Sequence, residues 1–156
     1  MQEKKDRIDD ALHATRAALV SGIVPGGGIT LLKAGQQAMS KNYHASDKDE
    51  ESGAQLLFKA LEAPLKAIAE NAGVSGEVVV DKVRASKDNF GYNAKTDTYE
   101  NLMEAGVIDP VSVTQAALDN AVSVAKMILT TQCAIAYIEN DANGPEEEYD
   151  PEMITV

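Results

Sequence analysis

The chain has 156 residues, 44% of them hydrophobic, which is one domain's worth and enough to bury about two-thirds of the unfolded surface. Its net charge of −11 argues against a nucleic-acid partner, which would want basic patches, and no apolar run approaches the ~18–20 residues of a membrane span. The single cysteine, Cys133, excludes an internal disulfide and fits a reducing compartment, and the absence of Trp makes an aliphatic core necessary.

The opening residues lack the apolar region of a signal peptide. Residues 3 to about 21 read as a helix, with Ile8, Leu12, Thr15 and Leu19 on one stripe. Gly22 should end it and Pro25 should prevent its continuation. The helix opens the chain with nothing before it to pack on, so the natural protein is expected to extend upstream. Gly26, Gly27 and Gly28 then feed a second helix, about 29–41, with Ile29, Leu32 and Met39 on one side. Without a Cβ these glycines accept positive φ and let another molecule approach the backbone. The helix that follows offers unpaired N–H groups.

A charged link, 42–51, precedes a helical segment from about Ser52 to Asn71, in which Leu57, Ala60, Leu61, Leu65, Ile68 and Ala72 recur at helical spacing. Pro64 should kink or split it near Ala63, and Gly73 suits the position just past its end. Ser75 is a candidate cap for a helix over 76–85, although Val78-Val79-Val80 would also suit a strand. From 86 to 99 the pattern is turn-rich. Short strands or a hairpin fit, with Phe90 and Tyr92 on one face, followed by one helical turn at 101–105.

Asp109-Pro110 reads as a helix start, with Asp as N-cap and Pro at the first helical position. Val113, Ala117, Asn120, Val124 and Ile128 form the stripe of a long last helix. Residues 132–138 then alternate as a strand would, with Cys133 as a small buried residue and with no strand of similar length to pair with. The tail, 139–156, carries seven acids and no basic residue, and reads as disordered.

The residues alone say little about chemistry. An acid such as Asp10 on a surface helix is most simply solvated, three glycines before a helix are most simply a loop, and a turn asparagine such as Asn93 is commonplace. The P-loop pattern is absent. His13 and His44 have no metal-ligand spacing, and no Ser/His/Asp arrangement presents itself.

Several runs together resemble one family. Asp10-Ala11-Leu12-His13-Ala14-Thr15-Arg16-Ala17-Ala18 followed by Gly22-Ile23-Val24-Pro25-Gly26-Gly27-Gly28, then Gly91-Tyr92-Asn93-Ala94, Gly106-Val107-Ile108-Asp109-Pro110 and Leu129-Thr130-Thr131-Gln132-Cys133, are similar to the large subunit of group I chaperonins, the GroEL type. The likeness runs in order over nearly all of residues 3–138 and covers the C-terminal part of such a subunit.

The resemblance implies a mainly α fold, a helical equatorial-type domain with a few short β-strands, incomplete at its N-terminal side. Residues 1–21 would end the intermediate domain, 22–138 would be the C-terminal part of the equatorial ATP-binding domain, and 139–156 a tail unlike the family's Gly/Met-rich ending. It implies that Asp10 positions the water attacking the γ-phosphate, that Gly27 lies against the nucleotide, and that Asn93, Ala94 and Lys95 line the adenine. Lys95 stands where the family has a small residue, so its backbone carries that role. Asp109 would accept from the ribose hydroxyls.

The implied cofactors are ATP and Mg2+, the metal ligand lying outside this chain with the Gly-Asp-Gly-Thr-type phosphate loop, and K+ as a further ion. The implied setting is a homo-oligomeric ring with a co-chaperonin and unfolded clients, in bacterial cytoplasm or an organelle matrix. The strand at 132–138 would pair with a neighbouring subunit. Alone, the chain would bind ATP weakly and not hydrolyse it. The competing expectation is a non-catalytic helical interaction or oligomerisation module.

Overall fold

A computed structural model describes residues 2–40, 43, 45–87 and 89–136. The acidic tail, His44 and the last two residues of the expected strand lie outside the described residues.

The chain is mainly helical, with four short strands among the described residues. Helix α1, Gln2–Ser21, ends at Gly22, whose N–H bonds the Ala18 carbonyl at 2.9 Å. Strand β1, Ile23–Pro25, follows and leads through the glycines into α2, Ile29–Ser40. The expected long central helix divides into α3, Lys48–Ala60, and α4, Ala63–Asn71. Pro64 falls in the first turn of α4, where its missing N–H costs nothing.

α3 starts four residues earlier than expected, because Asp47 caps it by accepting from Glu50 N–H at 2.8 Å. Glu50 reaches back to accept from Ser46 N–H at 2.7 Å, and that backbone donor holds its carboxyl below the usual range. α4 closes with Val74 N–H on the Ala69 carbonyl at 2.9 Å, placing Gly73 just past the helix as expected. Helix α5, Gly76–Arg84, settles the triple-valine segment as helix. Its first turn has Ser75 at the cap position, but the hydroxyl makes no cap bond.

Strands β2, Phe90–Asn93, and β3, Thr98–Asn101, form an antiparallel hairpin that pairs Tyr92 with Tyr99 and Asn93 with Thr98. Strand β4, Ile108–Pro110, pairs antiparallel with β1, setting Asp109 opposite Val24. This second sheet was not foreseen, since three-residue strands leave almost no periodic signal. Helix α6, Val111–Thr130, completes the described fold.

The core lies where α2, α4, α5 and the β2–β3 hairpin meet. Ile29, Leu65, Val79, Val80, Val83 and Leu102 are fully buried there, with Leu32, Ala69 and Tyr92 beside them. Lys33 joins them by extending its ammonium to the carbonyls of Arg84, at 3.4 Å, and Ser86, at 2.6 Å, so a charge sits on the negative end of α5.

Three expectations need correction. Asp109 is not the N-cap of α6: it lies in β4, and Pro110 occupies the cap position without a side-chain bond. The work of a cap falls to the end of α1, where Ser21 Oγ accepts from Ser112 N–H at 3.2 Å and the Gly22 carbonyl accepts from Val111 N–H at 3.2 Å. Among the described residues, 132–136 form no strand, because no neighbouring strand there takes up their backbone bonds. Cys133 is accordingly exposed, not buried. At 101–105 the single helical turn forms as expected, closed by Ala105 N–H on the Asn101 carbonyl at 3.0 Å, with Leu102 buried in it.

Candidate functional site

Of the residues singled out in the sequence, the glycine turn and Asp109 meet at the β1–α2 connection, with the strand that ends in Asn93 beside them. Gly27 and Gly28 adopt φ of +67° and +77°, the left-handed region that glycine enters freely. The turn lets the chain reverse from β1 into α2 while Gly26 N–H bonds the Val107 carbonyl at 2.9 Å. A Cβ added to Gly26 would lie 3.3 Å from the Asp109 carboxylate, and one added to Gly27 would lie 3.1 Å from Leu102 Cδ1 and 3.8 Å from the Tyr92 carbonyl oxygen. So the glycine turn touches the segment carrying Asp109 on one side and the strand leading to Asn93 on the other. The fold itself already requires a glycine at 27, through both its φ and Leu102.

Asn93 ends β2 and is 9% exposed. Its Nδ2 donates to Glu100 Oε1 at 2.7 Å, and its Oδ1 accepts from Lys95 N–H at 3.0 Å. Ala94 and Lys95 begin the four-residue hairpin loop and are exposed. The loop is braced at its far end by Tyr92, whose hydroxyl donates to Asp97 Oδ1 at 2.9 Å. Burial of the ring, and then the neighbouring Asp97 carboxylate, raise the Tyr92 pKa.

Asp109 is exposed, and among the described residues nothing hydrogen-bonds its carboxylate, so its acceptor capacity is open. It lines a cavity of about 210 Å³ with Ala14, Thr15 and Ala18 of α1 and with Ile23, Ile108 and Pro110. Asp10 precedes Ala14 by one helical turn on the same face of α1, roughly 6 Å further along the axis. It is exposed and stands beyond the cavity. The structure therefore brings Gly26–Gly28, β2 and Asp109 together and leaves Asp10 one turn outside that group.

Glu100, which holds the Asn93 amide, does not stand out in the sequence. The hairpin register would have revealed it: Gly91 opposes Glu100 and Asn93 opposes Thr98, so Asn93, Thr98 and Glu100 share a face. Among the described residues no three His, Cys, Asp or Glu side chains cluster to hold a metal ion. Nor is any helix among them long and apolar enough to cross a membrane.

The arrangement offers a turn with no side chain on it, an amide held in fixed orientation and an open carboxylate. They offer no nucleophile and no metal cage. The family model for the TCP-1/cpn60 chaperonin family matches residues 1–138 of the chain.

Proposed function

The chain belongs to the TCP-1/cpn60 chaperonin family, and from that premise we propose that it works in ATP-driven protein folding as part of a subunit of the group I type. The observation that carries this reading is the meeting of the glycine turn, the end of β2 and Asp109, three segments well separated in sequence, at one place. In the proposal, the loop Asn93-Ala94-Lys95 meets the adenine edge. The open carboxylate of Asp109 accepts from the ribose hydroxyls, and Gly27 leaves room for the nucleotide above the turn.

Phosphoryl transfer asks for positioning and charge neutralisation more than for covalent work. Asp10 fits the positioning part. A carboxylate with two free oxygens accepts from a water and orients it for in-line attack. Asp10 rides on α1, whose last turn is tied to the site through Ser21, Gly22 and β1. A small tilt of α1 about that tie would carry Asp10 across the one-turn gap, coupling closure to hydrolysis. Mg2+ would neutralise phosphate charge; its ligand, the phosphate loop and the K+ position belong in this proposal to residues outside the chain. So do the co-chaperonin and client contacts of the ring, in bacterial cytoplasm or an organelle matrix.

Asp10→Ala in the full-length assembly tests the reading. Nucleotide affinity should stay near the parental value while single-turnover hydrolysis slows by orders of magnitude. Hydrolysis at the parental rate would remove Asp10 from the role.

A second reading, a non-catalytic helical oligomerisation module, has its own observation. Leu19, Val20, Leu129 and Ile135 are 83%, 91%, 75% and 93% exposed. Such surface suits an interface between subunits, so it is compatible with the ring as well. A full-length protein that assembles yet shows no ATP turnover would favour the second reading.

A further inference from the structure

The Asn93 amide is held by two partners of opposite kind. Glu100 Oε1 receives its Nδ2 at 2.7 Å, while the Lys95 N–H approaches its Oδ1 at 3.0 Å. The hydroxyls of Thr96 and Thr98 lie 3.3 Å and 3.4 Å from the same Glu100 oxygen and 2.7 Å from each other, so one donates within the pair and the other is left to donate to Glu100. An ionised carboxylate only accepts and a backbone N–H only donates. Turning the amide over would set oxygen against oxygen at Glu100 and N–H against N–H at Lys95, so one orientation persists.

That orientation has a consequence for recognition. After its two internal bonds, the amide retains one N–H on Nδ2 and one lone pair on Oδ1. Adenine offers an amino donor beside a ring-nitrogen acceptor, the pair that an asparagine amide meets in bidentate fashion. On the Watson–Crick edge, where adenine sets its N6 amino donor beside the N1 acceptor, guanine sets an O6 acceptor beside an N1–H donor, the same two kinds of group in the opposite order. An amide free to turn over would serve either base, whereas one locked end for end serves adenine and presents like against like to guanine.

We propose that Glu100 is a positioning residue that sets base selectivity, locking the Asn93 amide in the orientation that reads adenine and rejects guanine. The inference rests on the reading that Asn93 lies at the adenine edge. It uses a residue that would touch no part of the nucleotide itself.

The test compares KM and kcat for ATP and GTP in the full-length protein and in Glu100→Gln, Glu100→Ala and Asn93→Ala. The parent should prefer ATP. Glu100→Gln keeps the shape of the side chain but offers either a donor or an acceptor, so the ratio of the two KM values should fall about tenfold, within the range one bidentate amide–base pair discriminates. The change should fall on KM rather than kcat, and Glu100→Ala should show it too. Asn93→Ala should raise the KM for ATP and erase the preference.

A parental ratio in Glu100→Gln, a parent with no preference for ATP, or equal losses of kcat on both nucleotides would overturn the lock. If Asn93→Ala leaves both KM values unchanged, the adenine-edge reading fails and the lock fails with it. If Asn93→Ala shifts them while Glu100→Gln does not, the adenine edge stands and the lock alone is lost.

Discussion

Helices α4 and α5 and helices α1 and α6 carry similarly regular apolar spacing, but they dispose of it differently. In the first pair Leu65, Ala69, Val79, Val80 and Val83 are buried against α2 and the hairpin. In the second pair no residue is buried along either 20-residue helix, and Ile8, Leu12, Val124 and Ile128 stay exposed. Apolar periodicity reports that a face is fit to be covered; it does not report what covers it. α1 meets both α6 and β4, α1 and the β1–β4 pair line the cavity beside Asp109, and much of the two helices' apolar stripes is left exposed. The same holds for residues 132–136, whose alternation implies a strand that finds no partner among the described residues.

The comparison breaks most visibly at its two extremes. Leu65→Ala in the core should cost about 2–5 kcal/mol through lost burial and the cavity left behind. Leu129→Ala, made in the dissociated subunit and followed by the same denaturant titration, should stay within about 0.5 kcal/mol. Equal losses would mean that α6 is packed within the chain after all.

Next in size is Gly28→Ala. Its Cβ would lie 2.7 Å from the Leu65 amide nitrogen at a φ of +77°. Overpacking and left-handed strain together should cost about 3 kcal/mol, read from the denaturation midpoint. Because the turn joins the core half to the β1–β4 half, this substitution should also weaken nucleotide binding.

The junction of the two halves sharpens the correction made at Asp109. Ser21→Ala removes the acceptor for Ser112 N–H and should cost about 1 kcal/mol, with faster amide exchange confined to the first turn of α6. Asp109→Ala should leave that turn unchanged and weaken ATP affinity in the full-length protein. If instead the first turn of α6 frays in Asp109→Ala, the carboxylate has a capping role after all.

The smallest effect concerns the surface of the core half. Lys66 bonds Glu77 at 2.8 Å and Glu62 at 3.0 Å. The Lys66 hydrogen bond holds the Glu77 carboxyl below its usual range, and Glu77 followed by Glu62 raises Lys66. A depressed carboxyl contributes stability above its unfolded value and loses it as pH falls through the folded one. The raised ammonium contributes below its unfolded value and loses it as pH rises through the folded one. Glu77 is 74% exposed, so solvent screening keeps the effect slight. The melting temperatures of the parent and Glu77→Gln should differ slightly at neutral pH and converge in acid.

Most of the helical fold was legible, because its signals are local. Gly22, Pro64 and Gly73 mark helix ends, and Ile29, Leu32, Leu61 and Leu65 fall on faces that do become buried. What was not legible depends on contacts distant in sequence. The β1–β4 sheet is too short to show a period, and the cap of α6 is supplied by Ser21, 91 residues away. Asp109-Pro110 has the form of a cap and first turn, but pairing with Val24 draws Asp109 into a strand. At the site, the resemblance singled out Asn93 and Asp109 without showing what holds either one. Glu100 became visible only through the register of the hairpin.

Hydrogen exchange of the full-length protein with and without ATP tests the central claim most directly. Amides of residues 93–97 and 107–110 should slow together on addition of nucleotide, while those of α3 keep their rates. Exchange unchanged in both segments, or protection falling on α3 instead, would contradict the account.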